Sequence, residues 1–194
     1  MARAGLTPEV VEATAGEIAD RDGYDAVSVS AVARALGVQP ASVYGHVNGK
    51  TALLGRLHRR ALEALAGYIA EATVGAATRE SLSGYFGAHR AFAAAHPGLW
   101  EALRRTADPE TVASAAAERV SRLTLGVIRG YGLDGDASVH ATRLVGATIA
   151  GFLGLESAGS IAHRDPDTET SWEAAIDALD RALRTWPGSS GPAE

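Results

Sequence analysis

Gly37 and Pro40 cut what would otherwise be one continuous helical pattern, and the cut leaves few ways to fold the first third of the chain. Ahead of it, Ser28 is a capping hydroxyl, and Val29, Val32, Ala33 and Leu36 recur at the spacings of a short amphipathic helix. Glycine closes that helix because it enters the left-handed region without a Cβ clash. After Val38 in a tight turn, Gln39-Pro40 opens a second short helix, where the missing proline N–H costs nothing, and Val43, Tyr44 and Val47 follow on it. Asn48-Gly49-Lys50-Thr51 stops this helix and caps the next. Two short helices joined by a glycine turn read as a helix-turn-helix. A duplex major groove ~12 Å wide admits one such helix, while the preceding one braces it on the backbone.

Nearly all the remaining sequence is helical in pattern, and no run shows the β-branched alternation of a half-buried strand. Thr7-Pro8-Glu9 starts a first helix with Val11, Ala15, Ile18 and Ala19 as its stripe, ended by Gly23. Leu54, Leu57, Ala61, Leu65 and Tyr68 stripe the helix that follows Thr51, which at ~1.5 Å per residue is long enough to link two domains. Thr78 caps a helix that stops at His96-Pro97-Gly98, and a short one with Leu99, Trp100 and Leu103 follows. Asp108-Pro109-Glu110 starts a helix that runs through Val120, Leu123 and Val127 to Gly130. A long apolar helix covers Asp136 to about Ala158, a polar loop covers Ser160 to Thr170, and Ser171-Trp172 opens the last helix. The expected architecture is all-α, with about nine helices. It has a three-helix helix-turn-helix domain over 1–50, a long linking helix, a bundle for sensing and dimerisation within 51–186, and a flexible, breaker-rich tail over 187–194.

Composition narrows the function classes. With 194 residues and 46% apolar content the chain can bury a substantial core, and the absence of cysteine excludes disulfides, Cys-ligated metal and a thiol nucleophile. No stretch approaches the ~20 apolar residues of a membrane span, and no signal-peptide core is found, so a cytoplasmic protein with no membrane partner is expected. The net charge of −5 hides an asymmetry. From Ala26 to Leu62 there are Arg34, Lys50, Arg56, Arg59 and Arg60, with His46 and His58, and no acid. Such a block fits one face built for an anionic partner; solvated helix surface is the alternative.

Signals for catalysis are missing. The six histidines show no spacing that puts two metal ligands on one helix face. There is no Gly-x-Ser-x-Gly elbow and no phosphate-cradling glycine loop. The acidic Asp165, Asp167 and Glu169 lack the glycine and distal glutamate of a calcium loop. Neither an enzyme, a metal site nor a cofactor is expected.

The residues that carry a family likeness are Gly23-Tyr24, Ser28, Val32-Ala33, Ala35-Leu36-Gly37-Val38, Ser42-Val43-Tyr44, His46-Val47, Lys50 and Ala52-Leu53-Leu54. Together, over roughly residues 7 to 57, they resemble the DNA-binding domain of the tetracycline-repressor (TetR) family. The resemblance implies that Ser28 meets a phosphate, that Tyr44 and His46 bond the backbone opposite, and that Lys50 adds charge where a helix start holds phosphate. These contacts position rather than read. Base reading falls to Gln39, Pro40, Ala41 and Ser42, with help from Ser30. Gly45 stands where many relatives carry a large or basic side chain. Tyr44 as plain core and Ser28 as a cap alone are the competing readings.

Farther on, Ala141-Thr142-Arg143, Gly151-Phe152 and Leu155-Glu156 followed by Gly159 resemble a subgroup with a tryptophan, histidine and glycine motif, although Ala150 stands in the histidine place. By resemblance the last two long helices pair with those of a second subunit. Gly146, Gly151 and Gly154 would allow close approach, and Phe152, Leu155, Trp172, Ile176 and Leu179 would supply apolar area; packing into their own core is the alternative. The family's sensor pocket implies a lining from Tyr68, Tyr85, Phe86, His89, Phe92, Trp100, Leu103, Leu123, Val127 and Phe152, again against a core reading. The expected protein is a homodimeric, ligand-responsive regulator, most simply a repressor. It would bind a palindromic double-stranded operator and be released by an apolar or aromatic effector. The alternative is a helical ligand- or partner-binding protein with weakened DNA affinity.

Overall fold

The structure, a computed structural model, describes residues 5–187. Among them are α1 (Pro8–Asp22), a 3₁₀ turn (Tyr24–Ala26), α2 (Val29–Leu36), α3 (Pro40–Tyr44), α4 (Gly49–Thr73) and α5 (Thr78–Ala95). There follow α6 (Pro97–Leu103), α7 (Pro109–Val112), α8 (Ala115–Arg129), α9 (Gly135–Ser157) and α10 (Thr168–Arg184). The fold is all-helical, as expected. Apart from Pro187, the tail expected over 187–194 lies outside the described residues.

Local chemistry explains most helix starts. Thr7 and Ser28 accept hydrogen bonds from the backbone N–H of Val10 at 3.3 Å and Ala31 at 3.1 Å. Asp108 does the same for Thr111 at 2.6 Å. Two expectations need correction. The single helix expected from Asp108 to Gly130 is two, because Ser114 intervenes: its hydroxyl donates to the Thr111 carbonyl at 2.7 Å and accepts from Ala117 N–H at 3.2 Å. That break gives ten α-helices among the described residues instead of nine. The last helix starts at Thr168, before Ser171, because Asp167 caps it through Thr170 N–H at 2.7 Å.

Two compact units result, and their border is not at residue 50. One comprises the described residues of Met1–Ala66 with Phe92–Val120, the other those of Gly67–Ala91 with Ser121–Glu194. In the first unit, Val11, Ala15, Val32, Val43, Val47, Leu53 and Leu57 are buried beneath α1 to α4. α6 joins them because Gly98 has no side chain: a Cβ there would overlap the backbone of Ala19 on α1. Asp20 of α1 then caps α6 from across the contact, accepting from Gly98 N–H at 2.9 Å and Leu99 N–H at 3.1 Å, with His96 Nδ1 3.1 Å from its other oxygen. In the second unit Leu82, Phe86, Ile128, Leu133, Ile149, Ile176 and Leu183 form a separate apolar core.

Candidate nucleic-acid interface

Within the first unit, α2 and α3 sit on a buried valine set and turn their polar residues outward. Val29, Val32, Val43 and Val47 are each at most 5% exposed, whereas Ser30, Gln39, Pro40, Ala41, Ser42 and Lys50 are exposed. The turn between the helices depends on Gly37, whose φ of 66° and ψ of 30° are left-handed. Val38 N–H returns to the Ala33 carbonyl at 3.0 Å and ends α2 there. Gln39 occupies the cap position of α3 but makes no side-chain capping bond, so its amide is not spent on the helix. Arg34 on α2 and Thr51 on α4 are exposed as well.

Two competing readings can be weighed on this geometry. Tyr44 is 55% exposed and therefore not core. Ser28 does cap α2, but as an acceptor; its hydroxyl proton stays available to a phosphate oxygen. His46 is half-buried, and its N–H donates to Val43 at 2.9 Å, which extends the turn after α3. Gly45 is exposed in an ordinary right-handed conformation, φ −65° and ψ −16°. The backbone does not require glycine there. α4 is tied back to α1 by Arg56 and Glu12 at 3.0 Å. His58 on α4 is buried, which pulls its imidazole below the usual histidine range against the opposing pull of Asp108.

The residues expected around a sensor pocket do not gather in one unit. Phe92, Trp100 and Leu103 belong to the first; Tyr68, Tyr85, Phe86, His89, Leu123, Val127 and Phe152 belong to the second. In the second unit Phe86 is fully buried and meets Trp172 edge-on at 5.1 Å between ring centres, and Phe152 meets the same indole at 4.9 Å. Tyr85 and Thr124 share a hydrogen bond of 2.9 Å, and His89 Nδ1 donates to the Tyr85 carbonyl at 2.8 Å. Burial lowers the His89 pKa from 6.5 to about 4 and keeps the ring neutral.

Of the residues expected to meet a second subunit, Trp172, Ile176 and Leu179 are already buried in their own chain. They pack into the chain's own core, which is the alternative the sequence left open for them. α9 differs: Ser138, Ala141, Val145, Ile149 and Leu153 point inward, while Val139, Leu144 and Leu155 are exposed, along with Gly146 and Gly151. Gly154 is half-buried on the same helix. No helix of the described residues is long and apolar enough to cross a membrane, and they hold no cluster of metal-ligating side chains.

Residues 11–57 match the profile of bacterial regulatory proteins of the tetR family, and residues 82–179 match that of the tetracyclin repressor-like C-terminal domain. The chain is 31% identical over 156 residues to the uncharacterised HTH-type transcriptional regulator YobS of Bacillus subtilis, covering 79% of this chain and 80% of that one. The chain belongs to the TetR family. It is also 29% identical over 168 residues to the uncharacterised HTH-type transcriptional regulator Rv0681 of Mycobacterium tuberculosis, covering 84% of this chain and 76% of that one. In fold it matches apo ActR from Streptomyces coelicolor, with a TM-score of 0.74, 18% identity and coverage of 94% and 97%. As a TetR-family member it is a DNA-binding transcriptional regulator, and the exposed side of α2 and α3 is where its helix-turn-helix carries polar groups.

The contact sequence reasoning missed is the lock between α1 and α6. Asp20 carries no motif; its role arises from His96, Gly98 and Leu99 more than seventy positions away.

Proposed function

We propose that the chain acts as a homodimeric repressor in the cytoplasm, that it is not an enzyme, and that a small-molecule effector releases it from a palindromic operator. The observation that carries this reading is the outward row of Gln39, Pro40, Ala41, Ser42 and Tyr44 over a buried valine floor. Gln39 would bond an adenine edge, Ser42 adapts to either partner, and Pro40 or Ala41 would touch a thymine methyl, with Ser30 adding a contact. Ser28, Tyr44, His46 and Lys50 would hold the flanking phosphates. No arginine stands on α3, so part of the selectivity would come from DNA shape.

Dimerisation through α9 fits the exposed Val139, Leu144 and Leu155 beside Gly146, Gly151 and Gly154. Two-fold pairing would set recognition helices ~34–36 Å apart. BioQ has been solved with its double-stranded DNA operator, and ActR in complex with (S)-DNPA. An effector entering the second unit would meet an aromatic core with polar points at Tyr85, Thr124 and His89. α4 contributes to both units, so a shift along it offers a route from sensor to recognition helix.

Salt titration of duplex binding tests this directly. Lys50→Ala should flatten the slope of log K against log salt by ~0.9. Gln39→Ala should relax preference at one base position, at a cost of ~1–3 kcal/mol if the contact is bidentate. Gly45 favours a second reading, a partner-binding helical protein with weakened DNA affinity. Absence of duplex binding even at low salt would select it.

A further inference from the structure

We infer that a cleft in the first unit, bounded by α1, α4, α6 and the start of α8, binds an organic monocarboxylate with an apolar body, anchored by Arg60. The cleft holds about 650 Å³, a size that suits small ligands, whose sites span roughly 300–1,000 Å³. It contains none of the aromatic residues assigned above to a sensor pocket.

Its charges decide the ligand class. Both lining acids are neutralised by arginines from outside the lining, Glu12 by Arg56 at 3.0 Å and Glu63 by Arg119. Arg59 is engaged as well, with Glu110 at 3.1 Å, Asp108 at 3.8 Å and the Thr111 hydroxyl at 3.1 Å. His96 is held by Asp20 at 3.1 Å. Arg60 is exposed, and among the described residues no carboxylate pairs with it. The cleft therefore presents one uncommitted guanidinium, which matches the planar, singly charged carboxylate and gives a dianion only half of the charge it needs.

Shape supplies the other half of the argument. A Cβ built on Gly16 would lie 3.5 Å from Arg60 Nε and 3.7 Å from Leu99 Cδ2, so charge and hydrocarbon converge over one small residue of α1. Ala64, Ala115 and Ala116 form the remaining apolar wall and leave the space open. A molecule with a carboxylate at one end and an apolar body beside it meets both requirements. The site goes beyond the effector reading above, because it lies in the unit that carries the DNA-binding helices. Only its regulatory consequence rests on that reading: Glu12 and Gly16 belong to α1, so occupancy would act on operator affinity.

The test is calorimetric titration of the full chain with benzoate, 2-naphthoate and decanoate, each beside its uncharged amide, up to about 5 mM. At least one acid should saturate with a Kd below about 1 mM, and its amide should bind at least tenfold more weakly. Arg60→Gln should weaken the acid at least tenfold, Arg60→Lys should retain part of the affinity, and Ala116→Trp should block binding with the charge intact. Three results would overturn the inference: no acid saturates, acid and amide bind alike, or Arg60→Gln changes nothing. Duplex binding without ligand is read on the same wild-type sample. Its absence breaks the regulator reading alone, whereas flat calorimetry with duplex binding preserved breaks this one alone.

Discussion

The outward side of α2 and α3 and the aromatic core around Phe86 treat their informative residues in opposite ways. On the helix-turn-helix, the residues that would read bases, Ser30 and Gln39 to Ser42, are exposed, and buried valines beneath them carry the stability. In the second unit several candidate sensing residues are themselves core: Phe86 is fully buried, and Tyr85 and His89 are at most 7% exposed. Recognition residues on the first surface are thus open to substitution without loss of fold. Changes in the second region alter stability and any sensing together.

The sharpest way to break this contrast is Phe86→Ala, which should cost about 3–5 kcal/mol because an edge-packed ring is removed from a closed core. Urea unfolding measures it, and a cost below about 1 kcal/mol would mean the core is loose enough to be a standing pocket. His89 comes next. The unfolded chain protonates near 6.5, while the folded one resists until about 4, so this contribution is complete above 6.5 and drains as pH falls toward 4. The loss amounts to about 3 kcal/mol and should vanish in His89→Gln; an equal pH slope in both proteins would show that the imidazole is not buried neutral.

Asp20→Ala probes the border between surface and core. It removes a charged acceptor from two backbone N–H groups of α6 and should cost about 2 kcal/mol by the same unfolding measurement. An unchanged midpoint would detach α6 from α1. The smallest effect is expected at Gly45. Because its backbone is ordinary and it is exposed, Gly45→Lys should leave the unfolding midpoint in place and steepen the salt slope of duplex binding by ~0.9. An unchanged slope would move position 45 away from the phosphates.

How much of this could be read from residues alone depends on distance along the chain. The capping roles of Thr7, Ser28 and Asp108 and the turn at Gly37 are local, and each stands where its residue type places it. The break at Ser114 was also local but stayed hidden: serine reads as a weak helix former until its hydroxyl is seen bonding Thr111 and Ala117. Trp172 was ambiguous for another reason. An apolar stripe states that a face is covered, not by what, and only the rings of Phe86 and Phe152 show that the cover is intramolecular.

Periodicity and punctuation by themselves determined the all-helical class and the helix-turn-helix, because caps, turns and stripes act within a turn or two of chain. Tertiary structure alone decided which apolar faces are core, that α6 belongs with the DNA-binding helices, and that among the described residues no carboxylate pairs with Arg60 in its cleft. Those outcomes depend on which distant segments arrive beside one another, and close packing with charge pairing settles that only once the whole chain has folded.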